Sequence, residues 1–593
     1  MFPVLQKLET PRLRRTTVSS PEWSTRTFGN EDRLPRVPVP TLEDSCRRFL
    51  EWCAPLLTPD ELAETEAAVA EFLAGPGPEL QARLEEYDRS PGVRSWLDTF
   101  WPYRYLGRRD RIALNANFFF LFQDSPLGQV ERAAELTASA VDYKLKLDDE
   151  LVPPVLLRGT PQSMVQHKYL FSATRIPGEL LDTARTRYPS PERHIVVFSK
   201  GTPFRMDVLA EDGRPYSAAQ LADGLRAILK DGHVTDVPAG AFTTKARAEW
   251  AASRAALLEA GNAAALETIE TALFCLCLDD FTPSDALEAG DQLLYADNRW
   301  YDKAVSLIVF EDGTAGINVE HCELDGTTIL GFTDALLSGS REEREPASGV
   351  PGYEVVEFAL TDALREDARA AREAFRAYAD ATATQTVSFD FGANRAKELG
   401  MSPDAFAQMS YQLAHRRAKG LTGATYESIA TRQFQNGRTE AMRVVTPEVV
   451  RFADVMTSDA SAEEKREAFR AAAAKHVARA KECQAGDAPE QHLWELQLIA
   501  KRRGEATDLP LYSSPGWLKS RDDYLSTSSA PSVNIQYFGF GSTSPQCIGI
   551  AYVLLPDRWN IYLSTPKHVS AEMYRFADEL AVAVRELQEL LAE

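Results

Sequence analysis

The chain is poor in the features that would place it in a membrane, in an oxidising compartment or on a nucleic acid. No apolar run approaches the roughly 20 residues that cross a bilayer, and no secretory hydrophobic region follows the start, so a soluble, cytoplasmic protein is expected. Its seven cysteines are odd in number and sit in apolar contexts such as Phe274-Cys275-Leu276-Cys277-Leu278, which argues for reduced core thiols over a disulfide framework. Neither Cys275 nor Cys277 has the partner pair of a metal site, and no metal is expected. Positive charge is short: 65 Lys and Arg against 87 Asp and Glu leave a formal charge of -22. That balance argues against nucleic acid and anionic membranes as partners, while leaving room for a local basic site for a phosphate. There is no internal repeat, and a monomer is expected.

What the chain does have is length and pattern. At 593 residues it exceeds what one hydrophobic core ordinarily serves, so two domains are expected. Residues 1–33 are rich in Arg, Ser and Thr without sustained periodicity. Glu9, Glu22, Glu31 and Asp32 speak against a transit peptide there, and a surface arm wrapping onto the body is expected. Leu34-Pro35-Arg36-Val37-Pro38-Val39-Pro40 is an extended, proline-restricted segment, and helical periodicity follows to about Tyr87. After a loop over about 338–352, a long helix is expected from about 360 to 378, and the domains are expected to cross near there. Ser402-Pro403-Asp404 opens a helix with an N-cap serine and a first-position proline, and Ser461 with Glu464 makes a capping box. Residues 534–540, 547–555 and 558–564 read as successive strands, and an amphipathic helix from about Ala571 closes the chain.

Chemistry concentrates in Asn318-Val319-Glu320-His321-Cys322-Glu323-Leu324-Asp325-Gly326. Two short apolar segments precede it, separated by Glu311-Asp312-Gly313, and Asp-Gly between strand-like runs signals a hairpin. His321 therefore sits where a strand ends. A neutral imidazole there can take a proton near neutral pH, and Asp325 followed by Gly326 can hold the loop that aims the ring. Position alone leaves a structural histidine open. His167 and His194 lack an Asp-Gly at useful spacing and read as structural.

His-x-x-x-Asp-Gly at 321–326 resembles the catalytic loop of the superfamily that contains chloramphenicol acetyltransferase and peptide-synthetase condensation domains. Glu320-His321 with Asp325-Gly326 looks like its carnitine/choline acyltransferase branch. The likeness runs in order through Ser95-Trp96-Leu97, Gln166-His167-Lys168-Tyr169, Thr174-Arg175-Ile176-Pro177-Gly178, Thr425-Tyr426-Glu427-Ser428, Gly437-Arg438-Thr439 and Leu525-Ser526-Thr527-Ser528-Ser529. It covers nearly the whole chain from Leu34. It implies an α/β fold of two chloramphenicol-acetyltransferase-like domains with the active-site tunnel at their interface. The N-terminal catalytic domain would span 92–362 and carry His321, the C-terminal domain 363–593, and the segment 34–91 would pack with the latter.

The reaction implied is acyl transfer from a pantetheine thioester to a hydroxyl, with His321 taking the hydroxyl proton and returning it to the thiolate without an acyl-enzyme. By the Ser-Thr-Ser match Ser528 donates to the oxyanion, and Ser526 and Thr527 lie beside the acceptor; a plain serine-rich loop is the alternative. Asp325 and Arg438 are implied as a pair supporting the site. Tyr426 and Thr439 match residues that bind the carnitine carboxylate. Gln491, however, stands where the family has an arginine, and choline acetyltransferases also carry an amide there. A buried carboxylate without its fork of charged donors loses its compensation, so a small hydroxyl acceptor other than carnitine is expected. On the donor side Lys397 matches the second of two coenzyme A lysines, Ala393 replaces the first, Arg395 could compensate, and Asp404 is retained. The donor is thus acyl-coenzyme A or an acyl group on the phosphopantetheine of an acyl carrier protein, a co-substrate and no permanent cofactor. Gln536 falls at a position that gates acyl length, so a short or polar acyl group is expected. Phe538 faces a quaternary ammonium or belongs to the core. The alternatives are a carnitine or choline O-acetyltransferase using acetyl-coenzyme A and, in another class, a non-catalytic acyl-thioester binding protein.

Overall fold

The computed structural model describes residues 22–232, 234–235, 237–505 and 508–592. In the first part of the chain the main strands are β1 (Phe118–Phe122), β2 (His194–Ser199), β3 (Thr202–Asp207), β4 (Cys275–Leu278), β5 (Val305–Val309), β6 (Ala315–Val319) and β7 (Tyr353–Val355). In the second they are β8 (Thr382–Phe389), β9 (Thr425–Ala430), β10 (Thr439–Arg443), β11 (Leu525–Ser529), β12 (Ile535–Phe540), β13 (Ile548–Leu554) and β14 (Trp559–Pro566). They form an eight-stranded mixed sheet in the order β7-β3-β2-β4-β5-β6-β1-β12 and a six-stranded mixed sheet in the order β8-β14-β13-β11-β9-β10.

The aromatic run at β1 is buried on both faces of the first sheet. Side chains alternate along a strand, and accordingly Phe118, Phe120 and Phe122 enter one apolar cluster while Phe119 and Leu121 enter the cluster on the opposite face. Helices Gln129–Asp148 and Gly326–Ser338 supply the first cluster, and helices Arg247–Glu259, Ala263–Thr271 and Ala286–Leu294 the second. The Asp312-Gly313 turn joins β5 to β6 as an antiparallel hairpin, with Val309 opposite Ala315. Gly313 has φ +89°, and a Cβ there would also lie 2.1 Å from the Leu127 carbonyl oxygen. The hairpin ends at Val319, which lies opposite Phe118, so His321 emerges just beyond the end of an interior strand.

The second sheet is covered on one face by helices Pro403–Lys419, Pro447–Met456, Ala462–Gln484 and Ser570–Ala592. The Ser402 cap and the Ser461–Glu464 capping box form as their sequences indicate. The α/β architecture of two sheet-based bodies is as expected, and two segments cross between them. Strand β12, late in the chain, joins the first sheet antiparallel to β1, with Phe538 opposite Phe120. Helix Asp362–Asp380 packs on residues 239–259, because Leu364 and Ala368 enter the first body's cluster. The chain therefore passes into the second sheet at Thr382, later than a division at 362–363.

Helices Leu42–Cys53, Pro59–Ala74 and Gly77–Asp88 share a cluster with helices Glu490–Arg502, Pro510–Ser513 and Pro515–Arg521. Of the expected arm, residues 1–21 lie outside the described residues; further on, the Thr27 hydroxyl donates to the Val152 carbonyl at 2.6 Å, and Glu31 accepts from the Ser163 hydroxyl at 2.8 Å. Among the described residues no helix is long and apolar enough to cross a membrane.

Candidate active site

The His321 loop is fixed from both ends. On its N-terminal side Glu320 pairs with Arg175 at 3.1 Å and accepts from the Cys322 N–H at 3.2 Å. On its C-terminal side Gln166 accepts from the Asp325 N–H at 2.9 Å and donates to the Asp325 carboxylate at 2.8 Å. His321 Nδ1 lies 2.7 Å from the Leu324 carbonyl oxygen. A carbonyl only accepts, so Nδ1 carries the proton and Nε2 keeps its lone pair. The ring is held edge-on to Phe118 and tilted against Tyr105, with centroids 5.2 and 5.0 Å away. Burial lowers the His321 pKa below its ordinary value; the nearby Asp325 carboxylate opposes this and the Arg438 charge adds to it. The imidazole is thus neutral at neutral pH.

The Asp325 carboxylate lies on the Nδ1 side of the ring, 3.6 Å from that atom, and meets the second body. Arg438 meets it with Nη2–Oδ1 at 2.8 Å and Nε–Oδ2 at 3.0 Å, and donates to the Cys322 carbonyl at 2.6 Å and the His321 carbonyl at 3.3 Å. Burial alone would push the Asp325 carboxyl up, but the Arg438 charge and its hydrogen bonds outweigh it and hold the group at about 2.

Strand alternation decides what β11 offers. Leu525 belongs to the cluster under the helices, and Thr527 faces the same way, its hydroxyl donating to the Tyr426 carbonyl and accepting from Gln408, both at 2.9 Å. Ser526 and Ser528 therefore face the interface, and neither hydroxyl has a hydrogen-bond partner among the described residues. Tyr426 is paired with Ser526 across the parallel β9–β11 ladder, which puts its ring on that same face. Thr439, four residues before Arg443, the residue paired with Tyr426, shares the face.

Between the bodies these groups enclose a cavity of about 190 Å³. Of the residues singled out from sequence, it brings together His321, Asp325, Tyr426, Thr439, Ser526, Thr527, Ser528 and Phe538. Phe538 lines the cavity and packs against Phe118 and Phe120. Arg438 stands one layer behind. Gln491 also stands behind, buried, its Nε2 donating to the Thr439 carbonyl at 3.0 Å.

Gln536 is outside the cavity, which corrects its expected place at the acyl end. The β1–β12 register shifts between Leu121 and Phe122, leaving Gln536 as the unpaired residue of a bulge. Its amide is satisfied there by the Phe122 carbonyl at 2.9 Å and the Asp124 carboxylate at 3.0 Å.

Arg395, Lys397 and Asp404 are away from the cavity as well, around helix Ala393–Glu398. Arg395 is tied to Glu398 at 3.1 Å, and Lys397 is exposed. Asp404 accepts from the Tyr552 hydroxyl at 2.5 Å and lies 3.1 Å from His476 Nε2. With Glu427 these two form the one grouping among the described residues whose donor atoms, all within 4.8 Å of one another, could reach a common metal ion.

The pattern of the choline/carnitine O-acyltransferases matches residues 37–582. The chain belongs to that family. It is 33% identical over 582 residues to the mitochondrial carnitine O-palmitoyltransferase 2 of Rattus norvegicus, covering 90% of this chain and 88% of the relative. It is 29% identical over 598 residues to the carnitine O-acetyltransferase of Homo sapiens, covering 96% and 95%. A solved trichothecene 15-O-acetyltransferase from Fusarium sporotrichioides overlaps at TM-score 0.35 with 12% identity, covering 81% of this chain and 92% of that one. The protein is thus an acyltransferase, and acyl-coenzyme A is the family's co-substrate, with no permanent cofactor.

Several residues around this cavity were not singled out from the sequence. Gln166, Arg175 and Tyr105 position the His321 loop, and Arg104 lines the cavity. Gln166 and Arg175 lie in motifs that were recognisable but carried no visible role. Arg104 and Tyr105 sit in Trp101-Pro102-Tyr103-Arg104-Tyr105, an aromatic run whose burial alone is the expected reading. His167 and His194 are structural, bonded to the Met164 and Thr268 carbonyls at 3.0 and 2.8 Å.

Proposed function

We propose that this acyltransferase moves an acyl group from a coenzyme A thioester to the hydroxyl of a small acceptor, with His321 as general base. The observation that carries the reading is the commitment of Nδ1 to the Leu324 carbonyl, which leaves Nε2 to a cavity holding two unpaired serine hydroxyls. Nε2 takes the acceptor's proton as its oxygen bonds to the thioester carbon. The carbonyl oxygen becomes an oxyanion that accepts a hydrogen bond from Ser528. Collapse breaks the C–S bond, and the proton on Nε2 goes to the departing thiolate. Ser526 and Tyr426 flank the acceptor, and Asp325 with Arg438 holds the loop.

Finer features of the substrate follow from what surrounds this centre. Gln491, its Nε2 spent on the Thr439 carbonyl, brings no charge to the place where the family has its arginine, so an acceptor held as the family holds carnitine, by a guanidinium at that position, is not the one this site is built for. With Gln536 outside, nothing at that position favours a short acyl chain, and the apolar wall of Phe118, Phe538 and Phe540 suits alkyl carbons. A second reading, with the thioester on an acyl carrier protein, is favoured by Ala393 and by the engagement of Arg395 with Glu398, which leave Lys397 for a 3'-phosphate. Seven free, buried thiols suit a reducing compartment such as the cytoplasm.

The test is a mass-spectrometric transfer assay. Acetyl-, octanoyl- and palmitoyl-coenzyme A and an acylated carrier protein are offered in parallel to carnitine, choline, polyols and amino alcohols. Transfer by the wild type and none by His321→Ala, with thioester binding intact, is expected. Turnover by His321→Ala would overturn the mechanism, and transfer from the carrier protein alone would decide for the second reading.

A further inference from the structure

We infer that Arg104 is the anion receptor of the acceptor side: its guanidinium binds a carboxylate carried by the acceptor alcohol, from the first body's wall and not from position 491. The inference rests on the transferase reading above and deepens it by naming the acceptor as a hydroxy acid.

Two lysine or arginine side chains line the cavity, Arg104 and Arg108. Arg108 is spent on Asp110, with hydrogen bonds of 3.1 and 3.0 Å. Arg104 has no carboxylate within ion-pair distance among the described residues, and its Nε is buried without a hydrogen-bond partner. A buried donor left unpaired costs free energy, so this one is explained best by a partner that arrives with the substrate.

The side chain is held ready for one. Its guanidinium lies over Trp494 at 5.3 Å and over Tyr105 at 5.6 Å, which fixes the plane of the fork. Residues Pro102–Leu106 form a widened π-helical turn closed by the Gly107 N–H on the Pro102 carbonyl at 3.2 Å, and it brings both Arg104 and Tyr105 to the cavity.

The charge behind Arg104 is unbalanced in the same sense. Arg443 holds Glu490 at 2.6 and 2.8 Å and Asp523 at 2.5 Å, and Arg521 lies 3.7 Å from Glu490. A third carboxyl, Glu440, is buried beside Glu490 and Arg104, and burial together with the Glu490 charge pushes it well up toward its neutral form. Three guanidiniums then face the charges of Glu490 and Asp523, one positive charge in excess. Arg521 feels it: burial pushes it down to about 10, and repulsion from Arg443 and Arg104 works against the support of Glu490. A monoanion neutralises that excess, whereas a phosphate dianion would bring a surplus charge toward Glu490. A carboxylate also meets the fork bidentately and reaches the Tyr426 and Thr439 hydroxyls beside it.

The experiment uses the purified full chain with three probes: L-carnitine, its primary amide as the neutral counterpart, and choline. Calorimetric binding and steady-state transfer from acetyl-coenzyme A are measured for the wild type, Arg104→Gln, Arg104→Lys and Arg104→Gln combined with Gln491→Arg. Carnitine is expected to bind the wild type roughly 10²-fold more tightly than the amide, the size of losing paired charge-assisted hydrogen bonds. Arg104→Gln should erase that preference, raising the acceptor KM while leaving the donor KM unchanged; the lysine variant and the guanidinium returned at 491 should each restore part of it. A wild type that does not prefer the carboxylate, or an Arg104→Gln variant that keeps the preference or loses donor affinity instead, would overturn the inference. Arg104-dependent carboxylate binding without transfer to any acceptor would uphold the anion site and overturn the transferase reading.

Discussion

Arg438 Nη2 and Asp325 Oδ1 meet 2.8 Å apart, each more than nine-tenths buried, one at the start of a strand in the second sheet and the other in the loop leaving the first. The pair ties the two bodies together at the His321 loop. Removing one partner leaves the other charge buried and unpaired, which costs about 3–5 kcal/mol in such settings. Arg438→Gln and Asp325→Asn should each lower stability by that order and cut kcat more than KM. Arg438→Lys should not restore activity, since one ammonium cannot serve two carboxylate oxygens and two carbonyls at once. Urea unfolding with steady-state kinetics checks this; wild-type stability and turnover in either variant would refute the tie.

The pH response separates the two titrating groups of the loop. His321 is shifted below its ordinary 6.5, so the base form persists through neutral pH and is lost only as pH falls into the acid range. A profile of kcat/KM should therefore be flat near pH 7 and drop on the acid side with an apparent pKa below 6.5. Asp325 is depressed from 3.8 to about 2. Its contribution, roughly 2–3 kcal/mol for a shift of that size, is complete above about pH 4 and is lost as pH falls through about 2. Stability measured from pH 7 to 2 should fall later than activity does, and a coincident fall would contradict the assignment.

Much of this was legible because local rules act on neighbouring residues. The Asp312-Gly313 turn, the Ser402 and Ser461 caps and the alternating β1 aromatics each specify their own geometry, and the His321 loop follows from the hairpin that precedes it. The Asp325–Arg438 pair, 113 residues apart, was reachable only through the family resemblance. Arg104 was not legible, because what matters about it is the absence of a partner, and absence is a property of packing that no motif records. Gln536 was misplaced for a related reason: a one-residue bulge re-aims a side chain, and nothing in Ile535-Gln536-Tyr537 announces the bulge.

Ser528 should act on the transition state and Ser526 on the acceptor. Ser528→Ala is expected to lower kcat by roughly 10²–10³ with little change in either KM, as when other oxyanion donors are removed. Ser526→Ala should raise the acceptor KM and leave kcat closer to wild type. Both positions lie on an interior strand of the second sheet, Ser526 paired on both sides and Ser528 with Ala551, so folding should survive, and circular dichroism checks that control. A Ser528→Ala enzyme with full kcat would move the oxyanion elsewhere in the cavity.

Gly437, next to Arg438, tests whether the ion pair depends on backbone placement. A Cβ there would lie 2.0 Å from the Thr431 carbonyl oxygen and 3.0 Å from that of Phe434, contacts with main chain that cannot swing aside. Gly437→Ala must therefore move the turn, and Arg438 with it, although it removes no polar group. The expected result is a loss of kcat and stability approaching that of Arg438→Gln. Gly331 is the control, lying in helix Gly326–Ser338 with open space around its missing Cβ. Alanine there should stabilise by up to about 1 kcal/mol through helix propensity, with turnover unchanged. If Gly437→Ala behaved like Gly331→Ala, the loop would tolerate displacement of its arginine, and the rigid coupling of the two bodies at His321 would be refuted.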